Sequence, residues 1–209
     1  MKTGIIFDMD GTLWNSAKQV AESWSTVTVE NLGKAVTEED MYRVMGMPMD
    51  KLAKTLFPEH DLSKLLPLME ISGQIENEYL REHGAVLYPR LEETLQILAE
   101  RYPLYIVSNC QAGYIEAFME HYHFKKYFHD HVCFGENKKQ KYENIALIIE
   151  RNQLDRGIYV GDIQADYDAA VLGGAEFVHA AYGFGTIEKE VPTIQEFAEL
   201  PAVLRKMGA

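Results

Sequence analysis

Short apolar runs recur along the chain at Gly4–Phe7, Leu104–Val107, Ile158–Val160 and Phe177–Val178, each ending in a polar residue and followed by a helical pattern. Continuous apolar runs of this length, without polar alternation, suit parallel strands buried on both faces, and the helices between them supply the crossovers. Leu91, Leu95 and Leu98 share one helical face ahead of the second run, and Ile145, Ile148 and Ile149 share one ahead of the third. The pattern predicts an α/β fold built on an open, doubly wound parallel sheet.

Between Trp14 and Tyr88 the strand pattern disappears and successive helices are expected. Ser16 followed by Gln19 has the form of a capping box, opening a helix that carries Val20, Trp24 and Val27 on one stripe and stops at Gly33. Thr37 opens a second helix, a third follows Pro48, and a long pattern through Leu68, Ile71, Ile75 and Tyr79 forms the last. The expected division is a core of residues 1–14 and 88–209, with residues 15–87 inserted as a helical unit directly after the first strand.

Composition changes this picture mainly by exclusion. The 209 residues are 47% hydrophobic and 25% charged, the balance of a globular chain with enough apolar material for a core. Twenty Lys and Arg against 32 Asp and Glu give a net charge of −12, the wrong sign for neutralising nucleic-acid phosphates. Only Ile5, Ile6 and Phe7 separate Gly4 from Asp8, far short of the roughly 7–15 apolar residues of a signal peptide. No stretch approaches the roughly 20 apolar residues of a membrane span. Two cysteines, Cys110 and Cys133, make no disulfide framework and suit a reducing compartment. A cytoplasmic protein with neither nucleic-acid nor membrane partners is expected.

Candidate chemistry lies at the carboxyl ends of the strands, where ligands of doubly wound sheets bind. The first strand ends in Asp8-Met9-Asp10-Gly11-Thr12, the second in Ser108-Asn109, and the third in Gly161-Asp162 with Asp166 four residues on. Lys141 stands just ahead of the Ile145 helix. Asp8, Asp10, Asp162 and Asp166 bring −4 into one crevice and Lys141 returns +1, leaving −3 there and −9 for the rest of the chain. Carboxylates this close raise one another's pKa or require a cation. Oxygen donors without His or Cys suit Mg²⁺, which favours octahedral oxygen coordination.

These residues resemble, in order, the four motifs of the haloacid dehalogenase (HAD) superfamily phosphatases: Asp8-Met9-Asp10-Gly11-Thr12-Leu13, Ser108-Asn109, Lys141, and Gly161-Asp162-Ile163-Gln164-Ala165-Asp166. The layout is similar to the phosphoglycolate phosphatase and β-phosphoglucomutase-like branch, whose α-helical cap the insertion at 15–87 resembles. The resemblance implies a Rossmann-like core, Mg²⁺ as cofactor, and a small phosphorylated metabolite as substrate. It implies Asp8 as nucleophile, forming an aspartyl-phosphate, and Asp10 as general acid and then base. Ser108, with Thr12 and Asn109, would bind the phosphoryl group, and Lys141 would stabilise developing charge. Asp8, the Asp10 carbonyl and Asp162 would hold the metal, with Asp166 bound directly or through water.

Lys138 and Lys139 compete with Lys141, which is preferred because it sits one turn before the Ile145 stripe; the proline that often follows the family's lysine is absent. His121, His123, His129 and His131 fall close together but match no common zinc spacing, and a surface role is expected. Cys110 reads as a small buried filler or an oxidation-sensitive thiol, and Trp14 as pocket lining or hinge packing. Arg43 and the Gly46-Met47-Pro48 turn are candidate substrate contacts in the cap. The motifs leave open a phosphomutase, which returns the phosphoryl group to a reoriented intermediate. A signalling module phosphorylated on aspartate without turnover is a further reading, though its acceptor would lie on a later strand.

Overall fold

The computed structural model describes residues 2–209. After strand β1 (Thr3–Phe7) and a tight turn come β2 (Trp14–Asn15) and four helices: α1 (Ala17–Leu32), α2 (Glu38–Val44), α3 (Met49–Leu56) and α4 (Leu62–His83). The chain returns through β3 (Val86–Leu87), α5 (Leu91–Ala99), β4 (Leu104–Ser108), α6 (Tyr114–His121), β5 (Phe128–Cys133) and the short α7 (Phe134–Asn137). It closes with α8 (Lys141–Arg151), β6 (Arg156–Gly161), α9 (Gln164–Leu172), β7 (Glu176–Ala180), β8 (Thr193–Ile194) and α10 (Leu200–Lys206).

Six strands form one parallel sheet in the order β5-β4-β1-β6-β7-β8. Every residue of β1 and β4 is buried, as central strands covered on both faces must be. Alternation sorts their side chains: Ile5, Phe7, Leu104, Ile106, Ile158 and Val160 meet α5, α6 and α10, whereas Ile6, Tyr105, Val107 and Tyr159 meet α8 and α9. Truncating one of these, Ile5→Ala for example, costs about 2–5 kcal/mol because the cavity cannot collapse. β1 lies between β4 and β6, with Phe7 opposite both Ile106 and Val160. That register aligns the carboxyl ends of three strands along one edge.

Two strands of this sheet, β5 and β8, lie outside the expected set, as do the two-residue strands β2 and β3. In β5, Phe-His-Asp-His-Val-Cys shows no apolar run because it is a sheet edge, half exposed and held by a bidentate Arg151–Asp130 pair at 2.6 Å. His129 and His131 therefore sit in a strand at the sheet edge.

The helical insertion leaves and re-enters through the antiparallel β2–β3 pair, with Trp14 opposite Leu87. Thr37 caps α2 reciprocally with Asp40, and Gly33 ends α1 at φ 68°, as expected. Ser16 occupies the N-cap of α1, but its hydroxyl makes no capping bond and the Ser16–Gln19 capping box does not form. That hydroxyl is committed to Asp10 instead. In α4 the apolar stripe is not the buried face: Ile71 is exposed, Leu68, Ile75 and Tyr79 are half-buried, and Leu65, Met69, Gly73, Glu76, Asn77 and Leu80 point inward. A helix roofing a polar cleft buries polar groups, which shifts its inner face off the hydrophobic stripe.

Candidate active site

Asp8 follows β1 directly, and its amide donates to the Val160 carbonyl at 2.9 Å, so the strand pairing fixes where its side chain begins. The chain then turns back, with the Thr12 and Leu13 amides donating to the Met9 carbonyl. Gly11 makes this turn at φ 82°, and a Cβ there would strike the Asp162 carboxylate. Conformation and close approach both demand glycine.

Lys141 opens α8 and reaches the sheet edge, its Nζ donating to Asp8 Oδ1 at 2.9 Å and Asp166 Oδ1 at 2.6 Å. All three side chains are buried. Asp166 Oδ2 accepts the Asp162 and Ile163 amides at 3.1 and 3.3 Å, and Asp162 Oδ2 accepts the Phe184 amide at 2.7 Å. Burial pushes Asp8 up to about 7, with Lys141 opposing and Asp166 reinforcing. Burial and the charges of Asp166 and Asp8 push Asp162 up to about 9. Burial works against the charge of Lys141, but Asp166 and Asp8 outweigh it and hold the ammonium well above lysine's usual range.

One oxygen from each of Asp8, Asp162 and Asp166 lies within 4.8 Å of the others. One lysine cannot neutralise three buried carboxylates, and the raised affinities for protons mark a site that wants positive charge. Hard oxygen donors in that condition fit Mg²⁺.

Asp10 is held differently. The Ser16 hydroxyl at 2.5 Å and the Tyr114 hydroxyl at 2.7 Å both donate to its Oδ1. Burial raises its pKa while these two donors pull against it. Beyond Asp10 a chamber of about 60 Å³ opens beneath the helical insertion, with Asp8, Asp10 and Ser108 on its floor and Trp24, Met41, Met45 and Glu76 on its roof. A wider cleft of about 600 Å³ lies on the other side of Met45, Gly46 and Met47, lined in part by Arg43, Lys51 and Lys141. Asn109 borders both and donates to the Gly46 carbonyl at 2.9 Å, tying the end of β4 to the turn between α2 and α3.

Asp8, Lys141, Asp162 and Asp166 thus meet, with Asp10 and Ser108 bordering the adjoining chamber. Of the three lysines, Lys141 is the one brought to Asp8; Lys138 lies over the Phe134 ring and Lys139 is exposed. Thr12 is not brought in: its side chain is fully buried and it borders neither cavity. Arg43 is largely exposed, paired with Asp40, and reaches only the outer cleft. Trp14 packs edge-on against Tyr114, Phe118 and Tyr122 in the hinge. Cys110 borders the chamber, but burial drives its thiol well above the usual value, away from the reactive thiolate. The four histidines do not converge; His131 lies between Glu116 and Glu136, and His121 approaches the Arg81 carbonyl.

Sequence reasoning missed Glu76. It is 3% exposed, its Oε2 accepts from Trp24 Nε1 at 2.5 Å, and burial pushes it up to about 8 against the hydrogen bonds of Trp24 and Gln111. The signal available was a second helical stripe, Ser72, Gly73, Glu76 and Asn77, of small and polar residues at helical spacing. Tyr114 and Ser16, the two donors to Asp10, were missed as well.

The chain belongs to the haloacid dehalogenase-like hydrolases, whose family model matches residues 5–180. It is similar to the phosphoglycolate phosphatase of Vibrio parahaemolyticus, with 28% identity over 86% of this chain and 84% of that one. It is also similar to the Escherichia coli phosphoglycolate phosphatase, with 26% identity over 87% and 82%. A haloacid dehalogenase-like hydrolase of Bacteroides fragilis shares the fold at a TM-score of 0.84 and 20% identity, covering 96% of this chain and all of that one. A haloacid dehalogenase-like family protein of Streptococcus pneumoniae shares it at 0.78 and 21%, over 97% and 98%. No helix among the described residues is long and apolar enough to cross a membrane.

Proposed function

We infer that this chain is a magnesium-dependent phosphatase that hydrolyses small phosphate monoesters through an aspartyl-phosphate on Asp8. The supporting observation is Lys141, buried between Asp8 and Asp166 and bonded to both, where Asp8 forms part of the floor of a chamber roofed by the helical insertion. Residues 1–14 and 88–209 act as the catalytic core and 15–87 as the cap. Asp8, Asp162 and the Asp10 carbonyl would hold Mg²⁺, with Asp166, whose oxygens already serve Lys141 and two amides, joining them directly or through water. The ion would supply charge neutralisation at the transferring phosphoryl group.

The residues of the chain divide the remaining work. Lys141 keeps Asp8 ionised as a nucleophile and stabilises the phosphoryl oxygens. Ser108 and Asn109 orient the group from the end of β4. Ser16 and Tyr114 occupy Asp10 Oδ1, so a proton carried by Asp10 resides on Oδ2, from which it passes to the departing alcohol. The same oxygen then takes a proton from the attacking water. The roof excludes bulk water while this happens.

The test is phosphate release from small monoesters with Mg²⁺, its reversible loss on adding EDTA, and mass-spectrometric detection of phosphoryl-Asp8 after acid quench. Asp8→Asn is expected to lose at least about a thousandfold in kcat. Turnover that survives both EDTA and Asp8→Asn overturns the reading.

A further inference from the structure

The inner chamber is where the alcohol portion of a substrate must lie, because Asp10 borders that chamber and not the outer cleft. This step rests on the phosphatase reading above. None of the residues lining the chamber is lysine, arginine or histidine. Its carboxyl groups are Asp8, Asp10 and Glu76, and most of the remaining wall is apolar, four methionines and Trp24 among it. The cationic side chains near the site, Arg43, Lys51 and Lys141, open on the outer cleft instead. A volume of about 60 Å³ accommodates about four water-sized groups.

A carboxylate placed there would surrender its hydration, meet other carboxyl groups and find no cation, which is the most costly form of polar burial. An uncharged alcohol meets none of these penalties. Glu76 is the polar group on the apolar roof, anchored by Trp24 and buried strongly enough to retain a proton near neutrality. A neutral carboxyl group both donates and accepts, which matches a hydroxyl.

We propose that this enzyme selects phosphate monoesters of small, uncharged alcohols bearing a second hydroxyl, that Glu76 is the residue recognising that hydroxyl, and that anionic alcohols such as glycolate are rejected. The chain thereby departs in substrate from the phosphoglycolate phosphatases to which it is similar.

A series of constant carbon number tests this: 2-hydroxyethyl phosphate, ethyl phosphate and phosphoglycolate, each assayed with Mg²⁺ for phosphate release. The wild-type protein is expected to favour 2-hydroxyethyl phosphate at least tenfold in kcat/KM over both others. Glu76→Gln, which keeps a donor and an acceptor, retains the preference over ethyl phosphate, whereas Glu76→Leu reduces it to threefold or less. The same esters are titrated against Asp8→Asn with Mg²⁺, following intrinsic tryptophan fluorescence, to which Trp24, bonded to Glu76, contributes. This binding arm does not depend on turnover. Failure of every ester to release phosphate while binding keeps the predicted order defeats the phosphatase reading and leaves the selectivity standing. Phosphoglycolate turned over or bound as well as 2-hydroxyethyl phosphate, or no discrimination in either arm, overturns the proposal.

Discussion

The floor and the roof of the chamber are built on opposite principles. At the floor and directly behind it, Asp8, Asp162 and Asp166 are fixed by strand ends, backbone amides and Lys141, with bonds of 2.6–3.3 Å. On the roof, α2, α3 and the turn between them contribute methionines, flexible side chains that conform to what they cover. In the proposed reaction the floor meets a phosphoryl group that is the same in every monoester, so rigid electrostatic preorganisation is useful there. The roof meets the part of the substrate that varies. Charge concentrated below and apolar surface above, broken by Glu76, let one scaffold separate chemistry from selection.

Removing Lys141 attacks the floor at its most charged point and is expected to have the largest effect. Lys141→Met keeps the length of the stem but leaves Asp8 and Asp166 facing each other without their shared cation. A kcat loss on the order of 10²–10³ follows from the missing stabilisation of developing charge. Uncompensated buried charge should also cost on the order of 3–5 kcal/mol, read from urea midpoints in EDTA. A variant that loses activity but keeps its midpoint would show that the floor tolerates its charge without the lysine.

The roof offers the contrasting case, in which charge is destabilising. Glu76 is pushed from 4.5 in its ordinary state to about 8 in the folded chain. Between those values the unfolded state has released the proton that the folded state keeps, so this residue lowers stability as pH rises from 4.5 to 8. The full shift corresponds to about 5 kcal/mol. Neighbouring Asp10 adds to the shift and Tyr114 senses the charge of Glu76, but both remain in Glu76→Gln. The difference in Tm between wild type and Glu76→Gln isolates the one carboxyl group. Glu76→Gln should be close to wild type at pH 5 and more stable by on the order of 10 °C at pH 8. Parallel Tm curves across this range would mean that Glu76 is ionised at the roof.

The two regions also differ in how far the sequence reveals them. The floor is legible because buried parallel strands announce themselves as unbroken apolar runs, and the polar residues that end them fall on one edge once the sheet is wound. Asp8, Ser108 and Asp162 needed no more than that. The choice of Lys141 over Lys138 and Lys139 needed only helical phase, since it sits one turn ahead of Ile145. The roof is illegible for a related reason. In α4 the apolar stripe through Ile71 advertises the wrong face, because a helix over a polar cleft turns Gly73, Glu76 and Asn77 inward. Strand β5 escaped because an edge strand with a wet face needs no apolar run. Ser16 misled through its neighbours: Ser-x-x-Gln has the form of a cap, but a nearby buried carboxylate competes for the hydroxyl and wins. Thr12 is the opposite case, for it belongs to the first motif yet its side chain is buried and borders neither cavity.

Ser16 stands where the two regions join, and its removal should give the smallest of these effects. It opens α1 of the insertion yet holds Asp10 of the core, so it couples the orientation of the roof to the residue proposed as proton donor. Ser16→Ala deletes one of the two donors to Asp10 Oδ1 and leaves Tyr114 in place at 2.7 Å. A hydrogen bond to a charged group contributes about 1.5–3 kcal/mol, and Tyr114 can recover part of that. The expected result is about a tenfold fall in kcat, 1.4 kcal/mol on the barrier. KM should change little, since Ser16 borders neither cavity. The helix itself should be indifferent, because the hydroxyl makes no capping bond, so the Tm should fall only by the few degrees that the lost contact with Asp10 accounts for. A fall in Tm with kcat preserved would reverse the assignment, making Ser16 a support for the roof rather than a positioning residue for Asp10.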